Sequence, residues 1–412
     1  PTHRFAMPAD SRPSDAWGPP CISPFAETPD PATLTEEACA ALIDRAGVPK
    51  EATTAAFAHA SVAIQGDHTH YSDGFALLRS IEPGVAVAVA PADGNPQFCA
   101  VDDWGTIAVS GTAATRDEAP TWAAVMHACR QTLTDAPVHV AMASTVPEVC
   151  RDSAWAALAV ALLRALDALD AGRLLTSTGD GTVRDDLLPA LTRAIAAATA
   201  RPYSVAYPIT AFAARPPTIL LLDTATREHL PVESNAHAAL GWALVDPGAA
   251  PPHDAAFHRA RKEDADGTLA TLRAGSFDGL EAFRDLEHRD LQRAVSTVDD
   301  AQAPIVRHLV TENRRVQKHV ASMRRADWQM IGALLLMSHD SRRTQWACTA
   351  AAADRLVEVV EGLTIDGLYG ACMTERDGAV VVTGRPPSFA DALQHLAEAV
   401  ATNDRPLRTL RL

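Results

Sequence analysis

The sequence predicts an α+β protein, with strands concentrated in the first part of the chain and helices in the second. The segment VAVAVA at 85–90 alternates small and β-branched residues, which is typical of a strand. Two short apolar runs, TILLLD at 218–223 and GWALVD at 241–246, indicate buried strands. From residue 255 to 401 the pattern is mostly helical, broken by one predicted strand at 379–382.

The first elements along the chain are an irregular arm and a helix. Residues 1–32 are rich in Pro, Ser and Asp and show no period, so we predict an irregular N-terminal arm. The segment TLTEEACAALIDRAGV that follows predicts a helix with Thr35 as its N-cap and an end at Gly47. The residues 62–64 and 84–89 then predict two strands.

A nearly all-apolar helix is predicted at 154–169, and we expect it to lie at the centre of its domain. The chain has 412 residues and 47% hydrophobic content, which suits a globular protein of two domains or of one large domain. We predict an N-terminal domain over 33–210 and a C-terminal domain over 211–412.

Charge and cysteine content exclude several classes of function. The net charge is -15 and no run of Lys and Arg interrupts it, so we expect no nucleic-acid partner. The seven Cys form no CxxC pair and their number is odd, which indicates free thiols in a reduced, cytoplasmic setting. We find no secretion signal and no apolar run long enough for a membrane span, so we expect no membrane partner.

The segment QGDHTHYSDGF at 65–75 gathers reactive side chains. Asp67, His68, His70 and Tyr71 lie within five positions. By residue type, such a cluster suits a metal site, an acid–base site or a pocket for a polar ligand. Alternation along a strand would place both His on one face, but the sequence offers no third or fourth ligand, so we predict no metal.

Five motifs, in order along the chain, resemble those of galactokinases within the GHMP kinase superfamily. The segment AHASVAIQGDHTHYSDGF at 58–75 resembles the family's A-P-G-R-V-N-L-I-G-E-H-T-D-Y-N-G-G-F. Shorter segments resemble the strand ending in D-T-G, R-H-V-V-T-E-N-x-R-V, S-H-x-S-L-R and Y-G-A-R-M-T, namely ALVDPG (243–248), RHLVTENRRV (307–316), SHDSRR (338–343) and YGACMT (369–374). The resemblance runs from about residue 40 to the C-terminus and implies the two-domain GHMP-kinase-like fold.

The sequence departs from this family where the family handles ATP. The family's Arg near the phosphoryl-transfer centre corresponds to Ser61, and its Asp in P-C-G-x-M-D-Q corresponds to Tyr207. The glycine-rich phosphate loop corresponds to VPEVCRDSAWAAL at 146–158, which has no glycine, and carboxylates replace glycines in MTERDGA at 373–379. Phosphoryl transfer needs positioned reactants and a field that stabilises the transferring group. We therefore predict a pseudokinase without ATP-dependent activity and without a cofactor.

The segment that matches the family's sugar-binding motif, residues 65–75, keeps more of the family pattern. In galactokinases the Glu, His and Asp of G-E-H-T-D-Y hydrogen-bond sugar hydroxyls, and the matching residues are Asp67, His68 and His70. Because His70 puts a titratable ring in place of a permanent anion, we expect a polar or anionic small molecule other than galactose. The further predicted substrate-binding residues are Tyr71, Arg79, Asp246 and Phe257.

Three arginines stand where the family has small or apolar residues. They are Arg79, Arg151 and Arg376. A guanidinium suits bidentate recognition of phosphate, sulfate or carboxylate. We expect Arg79, which follows the cluster on an element that enters the core, to hold an anion. We expect Arg151 and Arg376 to pair with neighbouring carboxylates.

Two classes of function follow from these replacements. The first is an enzyme of specialised metabolism, or natural product biosynthesis, that expels a phosphate or sulfate group by elimination or intramolecular ring closure. In it Asp67 or His70 acts as the general base and Tyr207 orients the substrate or donates to it. The second is a noncatalytic sensor or the subunit of a complex with a companion protein. We favour the enzyme, because ligand-facing residues are exchanged for other reactive types.

Overall fold

A computed structural model of the chain describes most of its residues. The described ranges are 22–24, 29–94, 96–101, 109–110, 121–175, 186–232, 239–248, 253–364, 366–374, 378–400 and 407–412. The helices are α1 (Pro31–Ala46), α2 (Thr121–Leu133), α3 (Arg151–Leu169), α4 (Leu187–Thr199), α5 (Ala206–Ala213), α6 (Ala255–Ala274), α7 (Leu291–Thr297), α8 (Ala303–Arg325), α9 (Trp328–Ser341), α10 (Ala351–Gly362) and α11 (Pro386–Val400). The strands are β1 (Ile22–Pro24), β2 (Thr54–Gln65), β3 (Phe75–Pro91), β4 (Gln97–Val101), β5 (Val109–Ser110), β6 (Val138–Ser144), β7 (Ile219–Asp223), β8 (His229–Pro231), β9 (Gly241–Asp246), β10 (Leu368–Met373), β11 (Val380–Gly384) and β12 (Leu407–Arg411).

The first sheet is organised around β3, the longest of the described strands. Its order is β5-β4-β6-β3-β7-β8, and β2 also pairs with β3. The first part of β3, residues 75–79, pairs with β7, and its last part, residues 85–91, pairs with β6. The turn at 66–74 between β2 and β3 therefore lies at the end of the sheet where β7 joins.

The alternation in VAVAVA is explained by two different helices on the two faces of β3. Val85, Val87 and Val89 belong to the large core that includes α3. The intervening alanines face the smaller core formed with α1. Because alanine is small, α1 packs close to the sheet, while the valines fill the volume under α3. The predicted central helix at 154–169 is confirmed, since α3 is buried along nearly its whole length.

The second sheet has the order β1-β12-β9-β11-β10, with β1 parallel to β12 and the other pairs antiparallel. Helices α10 and α11 supply much of the core on this sheet. The predicted α+β class is confirmed. The predicted domain division at 210 stays a prediction, and the change from one sheet to the other falls between Pro231 and Gly241, because β7 and β8 still pair within the first sheet.

Some local predictions were wrong. The first helix begins at Pro31, and its N-cap is Asp30, whose carboxylate accepts from the backbone of Ala32 and Thr33. Thr35 instead donates its hydroxyl to the Pro31 carbonyl inside the helix. A proline is favoured at the first helical position, so the helix starts earlier than the apolar period indicates. Within the arm predicted as irregular, Ile22–Pro24 forms β1. None of the described helices is long and apolar enough to cross a membrane.

Candidate functional site

The turn at 66–74 is folded back on itself by its own residues. Gly66 has φ +92°, and a Cβ there would lie 2.4 Å from the Phe75 carbonyl oxygen. Thr69 donates its hydroxyl to the carbonyls of Gly66 (2.8 Å) and Phe75 (2.9 Å). A glycine is required at position 66 because of this close approach and the left-handed backbone.

Helix α8 holds both ends of this turn. The Glu312 carboxylate accepts from the Gly66 backbone N–H (2.9 Å) and from Gln65 Nε2 (2.7 Å). Its neighbour Asn313 accepts from the Phe75 N–H (2.8 Å). Two adjacent helical residues therefore fix the entry and the exit of the turn.

Glu312 is fully buried and is surrounded by donors. Arg315 Nε lies 2.7 Å from one carboxylate oxygen, and Ser338 Oγ lies 2.9 Å from both. Burial acts to raise the pKa of Glu312, but Arg315 and the surrounding donors outweigh it and lower the pKa to about 2. This buried anion is thus a fixed anchor for the turn.

Asp67 is the charged centre of the turn. Its Oδ2 accepts from Arg342 at 2.5 Å, and its Oδ1 lies 3.3 Å from His70 Nε2. Burial acts to raise the pKa of Asp67, but Arg342 and His70 outweigh it, and the pKa lies below its usual value. Asp67 is therefore an ionised carboxylate with one oxygen assigned to each neighbour.

His70 is oriented by Asp67 and faces Tyr207. Donation from Nε2 to the carboxylate leaves Nδ1 as an acceptor in the neutral ring. Nδ1 is buried and has no hydrogen-bond partner among the described residues. The rings of His70 and Tyr207 meet edge to face at 5.5 Å, and the Ser204 hydroxyl donates to the His70 carbonyl at 2.6 Å, which connects the turn to the start of α5.

His68 is used differently from His70. Its Nδ1 lies 2.8 Å from the Tyr71 hydroxyl, and its Nε2 lies 3.0 Å from Cys348 Sγ. Its ring stacks on Trp346 with 5.3 Å between centroids. Burial is the main cause that holds the pKa of His68 well below its usual value. Both ring nitrogens are engaged within the protein, so His68 serves here as part of the packed wall.

Phe257 precedes a residue that contacts the cluster. Phe257 lies in the first turn of α6 and stacks on His253 at 3.7 Å between centroids. The next residue, His258, is buried and stacks on His68 at 6.3 Å. The predicted substrate contact of Phe257 stays a prediction.

Two other predicted ligand residues lie on strands. Arg79 is buried on β3 between Val62 and Ile219 of the adjacent strands, and burial lowers its pKa to about 10. Asp246, at the end of β9, accepts from Arg408 of β12 at 2.5 Å. Asp246 therefore directs its carboxylate at a cation of the neighbouring strand.

The described residues contain no group of three or more His, Cys, Asp or Glu arranged to hold a metal ion. Both nitrogens of His68 already have partners, and Nε2 of His70 faces Asp67. Asp67, His68 and His70 thus contact other protein groups, some within the turn and some, such as Arg342 and Cys348, outside it.

The segment that corresponds to the phosphate loop leads into α3. Asp152 is buried in the first turn of this helix, and the Tyr203 hydroxyl donates to its carbonyl. The Ser61 backbone N–H donates to Ser153 Oγ at 2.5 Å. Arg151 pairs with Glu148 at the surface, as predicted. Arg376 lies outside the described residues.

Sequence reasoning missed the residues that support the turn from α8 and from the segment that follows α9. They are His308, Glu312, Arg315, His319, Arg342 and Cys348. Four of them recur at spacings of four, three and four along α8, so they share one helix face that is buried. A polar row at helical spacing within an otherwise apolar face is the signal that could have identified them.

Comparison with known proteins gives sequence relatives for much of the chain. No protein-family model matches it. It is 26% identical to the galactokinase of Thermotoga petrophila over 184 residues, which are 44% of this chain and 48% of that protein, so the chain spans about half the length of this relative. It is 28% identical to the galactokinase of Streptomyces coelicolor over 328 residues, which are 76% of this chain and 79% of that protein.

Solved structures show the same similarity over nearly the whole chain. The galactokinase of Lactococcus lactis, solved in complex with galactose, superimposes with a TM-score of 0.76 at 15% identity. The superposition covers 92% of this chain and 97% of that one. At this identity the similarity is one of fold.

Proposed function

Since the chain is a galactokinase-like member of the GHMP kinase superfamily, we propose that it converts a small polar molecule without phosphoryl transfer from ATP. The substrate already carries a phosphate or sulfate group, which leaves during the reaction. One observation carries this proposal: Asp67 orients His70, whose ring meets that of Tyr207 and whose buried Nδ1 has no hydrogen-bond partner among the described residues. This arrangement suits a general base.

The first turn of α3 supports the loss of ATP chemistry. A helix N-terminus binds phosphate through free N–H groups and its positive dipole. Here the Asp152 carboxylate is buried in that turn, where it benefits from the dipole and would repel a triphosphate. Ser153 already accepts a hydrogen bond from Ser61. Tyr207 supplies a phenol where the family uses a carboxylate.

In the proposed reaction, His70 takes a proton from the substrate through Nδ1. Asp67 stabilises the imidazolium that forms, because Nε2 donates to its carboxylate. The electron pair left on carbon forms a double bond in an elimination, and the pair left on oxygen forms a new C–O bond in a ring closure. In either case the C–O bond to the ester breaks, and phosphate or sulfate leaves with its electron pair. Arg79 is proposed to hold that anion.

The test uses phosphate and sulfate esters of sugars and polyols, with no nucleotide. Mass spectrometry distinguishes a product that has lost all the elements of phosphoric or sulfuric acid from a hydrolysis product, which gains water. We expect this product with the wild-type protein, and a rate at least about 100-fold lower for His70→Asn. Asp67→Asn should also lower the rate. His395→Asn on the exposed face of α11 is the matched control and should keep the wild-type rate.

Equal product with and without the protein would contradict an enzymatic function. One observation favours the noncatalytic alternative: Asp67 and His68 direct their polar atoms at other protein groups. A sensor or companion subunit would bind a polar ligand at the turn with no turnover. Calorimetry with the same esters separates the two, because binding without product identifies the sensor. A cytoplasmic location and a place in specialised metabolism stay predictions.

A further inference from the structure

Arg342 is a buried arginine at a position where the related motif has none. The galactokinase pattern S-H-x-S-L-R has Leu at the position that corresponds to Arg342. The pattern Y-G-A-R-M-T has Arg at the position that corresponds to Cys372. Relative to these two patterns, the chain has therefore gained one arginine and lost another.

The two positions meet in space. Arg342 Nη1 donates to the Met373 carbonyl oxygen, and Cys372 Sγ lies 3.2 Å from the same oxygen. Arg342 comes from the short π-helical turn after α9, and Cys372 comes from β10. The Arg342 guanidinium and the Cys372 thiol therefore lie beside one carbonyl in the same buried region.

We infer that Arg342 is a positioning residue, and that it supplies from position 342 the buried positive charge that an arginine at position 372, the letter of the related motif, would supply. It donates to Asp67 Oδ2 at 2.5 Å, which leaves Oδ1 for His70 Nε2. Because the Arg342 guanidinium approaches Asp67 from the turn after α9, it fixes which carboxylate oxygen faces His70. The effect on His70 rests on the proposed function, but the exchange of arginines does not.

Electrostatics explains why the two arginines would exclude each other. Asp67 is a single buried carboxylate, and Arg342 already balances its charge. Burial raises the pKa of the Cys372 thiol to about 12, so that side chain is neutral beside the guanidinium. A second guanidinium at position 372 would be a buried charge without an equivalent counter-ion. Removing Arg342 would likewise leave the Asp67 carboxylate as a buried charge without a counter-ion.

A double-mutant cycle tests the exchange without any substrate. Arg342→Leu and Cys372→Arg each restore one letter of the related motif, and the double variant restores both. We expect each single variant to lower the melting temperature by about 5–10 °C. The double variant should regain at least half of the loss of Arg342→Leu. Arg343→Leu, which removes a surface arginine one residue away, is the control and should change little.

If the melting temperature of the double variant falls by the sum of the two single losses, the proposed exchange is overturned. If Arg342→Leu does not fold, a soluble double variant supports the inference, and an insoluble double variant beside a soluble Cys372→Arg overturns it. These outcomes are independent of turnover, so they stand whether or not the proposed reaction is found.

A second readout tests positioning of His70. Selective ¹⁵N labelling of histidine reports which ring nitrogen carries the proton, and the His70→Asn spectrum assigns the signal. We expect the Nε2–H form in the wild-type protein, its loss in Arg342→Leu, and its recovery in Arg342→Lys. An unchanged His70 signal in folded Arg342→Leu would show that Arg342 serves stability alone and would overturn the positioning role.

Discussion

The turn at 66–74 and the first turn of α3 both depart from the galactokinase pattern, but their replacements differ in kind. In the turn, charged and polar residues were exchanged for other charged and polar residues that bond to one another, as Asp67 does to Arg342 and His70. At α3, glycines were replaced by side chains that occupy the helix N-terminus, including buried Asp152. Under the proposed function, the turn binds the ligand and the start of α3 does not bind a nucleotide.

The supports of the two regions differ as well. The turn is held by Glu312 and Asn313, which belong to the motif RHLVTENRRV that the chain shares with galactokinases. The residues that hold the turn thus match the family's motif, whereas Asp67 and His70 inside it do not.

Glu312→Ala should have the largest effect. It removes the acceptor of Gly66, Gln65 and Ser338 and leaves the buried Arg315 without its carboxylate. We expect the free energy of unfolding to fall by about 3–5 kcal/mol, as for other broken buried ion pairs. Urea unfolding measures it, with the exposed Glu37→Ala as the control. A loss below about 1 kcal/mol would mean that the turn does not depend on this anchor.

Mild acid should destabilise the region around the turn. Burial lowers the pKa of His308 to about 3 and that of His319 to about 4, and it holds the pKa of His68 well below its usual value. In the unfolded chain these rings take up protons near pH 6.5. Their contribution is therefore fully present above about pH 6.5 and is lost as the pH falls toward the folded values, by up to about 1.4 kcal/mol per pH unit for each ring.

Urea unfolding at several pH values between 7 and 5 checks this expectation. His319→Gln should reduce the slope of the unfolding free energy against pH by the amount that one proton contributes. The exposed control His395→Asn should leave this slope unchanged. A stability that does not change over this interval would show that these histidines are not buried as neutral rings.

Gly66→Ala should cost about 2 kcal/mol or more. The added Cβ would meet the Phe75 carbonyl, and the backbone has φ +92°. Gly279→Ala is the matched control, because a Cβ there meets no atom within 4 Å. Thermal unfolding of both variants measures the difference. Equal melting temperatures would mean that the turn can adopt another backbone path.

Arg151→Ala should have the smallest effect. Its partner Glu148 is largely exposed, and pairs of this kind contribute about 0.5 kcal/mol or less. The same unfolding assay measures the change. A loss comparable to that of Glu312→Ala would place the turn before α3 among the structural anchors and would remove the contrast between the two regions.

The sequence was sufficient for the fold class, for α3, for short parts of β2 and β3 (62–64 and 84–89), and for the cluster at Asp67, His68 and His70. These features come from local period and from motifs, which short stretches of sequence carry. The turn could be named in advance because its residues are contiguous.

The support of the cluster could not be predicted in the same way. Arg342 lies 275 positions from Asp67, and a pair of this separation leaves no trace in local composition. The different uses of His68 and His70 also depend on distant groups, because Cys348 engages one ring and Asp67 orients the other. Residue type alone predicted the same role for both rings.

The transfer of labelled γ-phosphate from ATP to galactose is the measurement that tests the contrast most directly. The assay contains magnesium, ATP and galactose, with the Streptomyces coelicolor galactokinase as a positive control. We predict no labelled sugar phosphate above the level without protein. Labelled sugar phosphate that disappears in the variant Tyr207→Phe would contradict the proposal, because it would show a working phosphoryl-transfer site where the α3 region was taken to be closed.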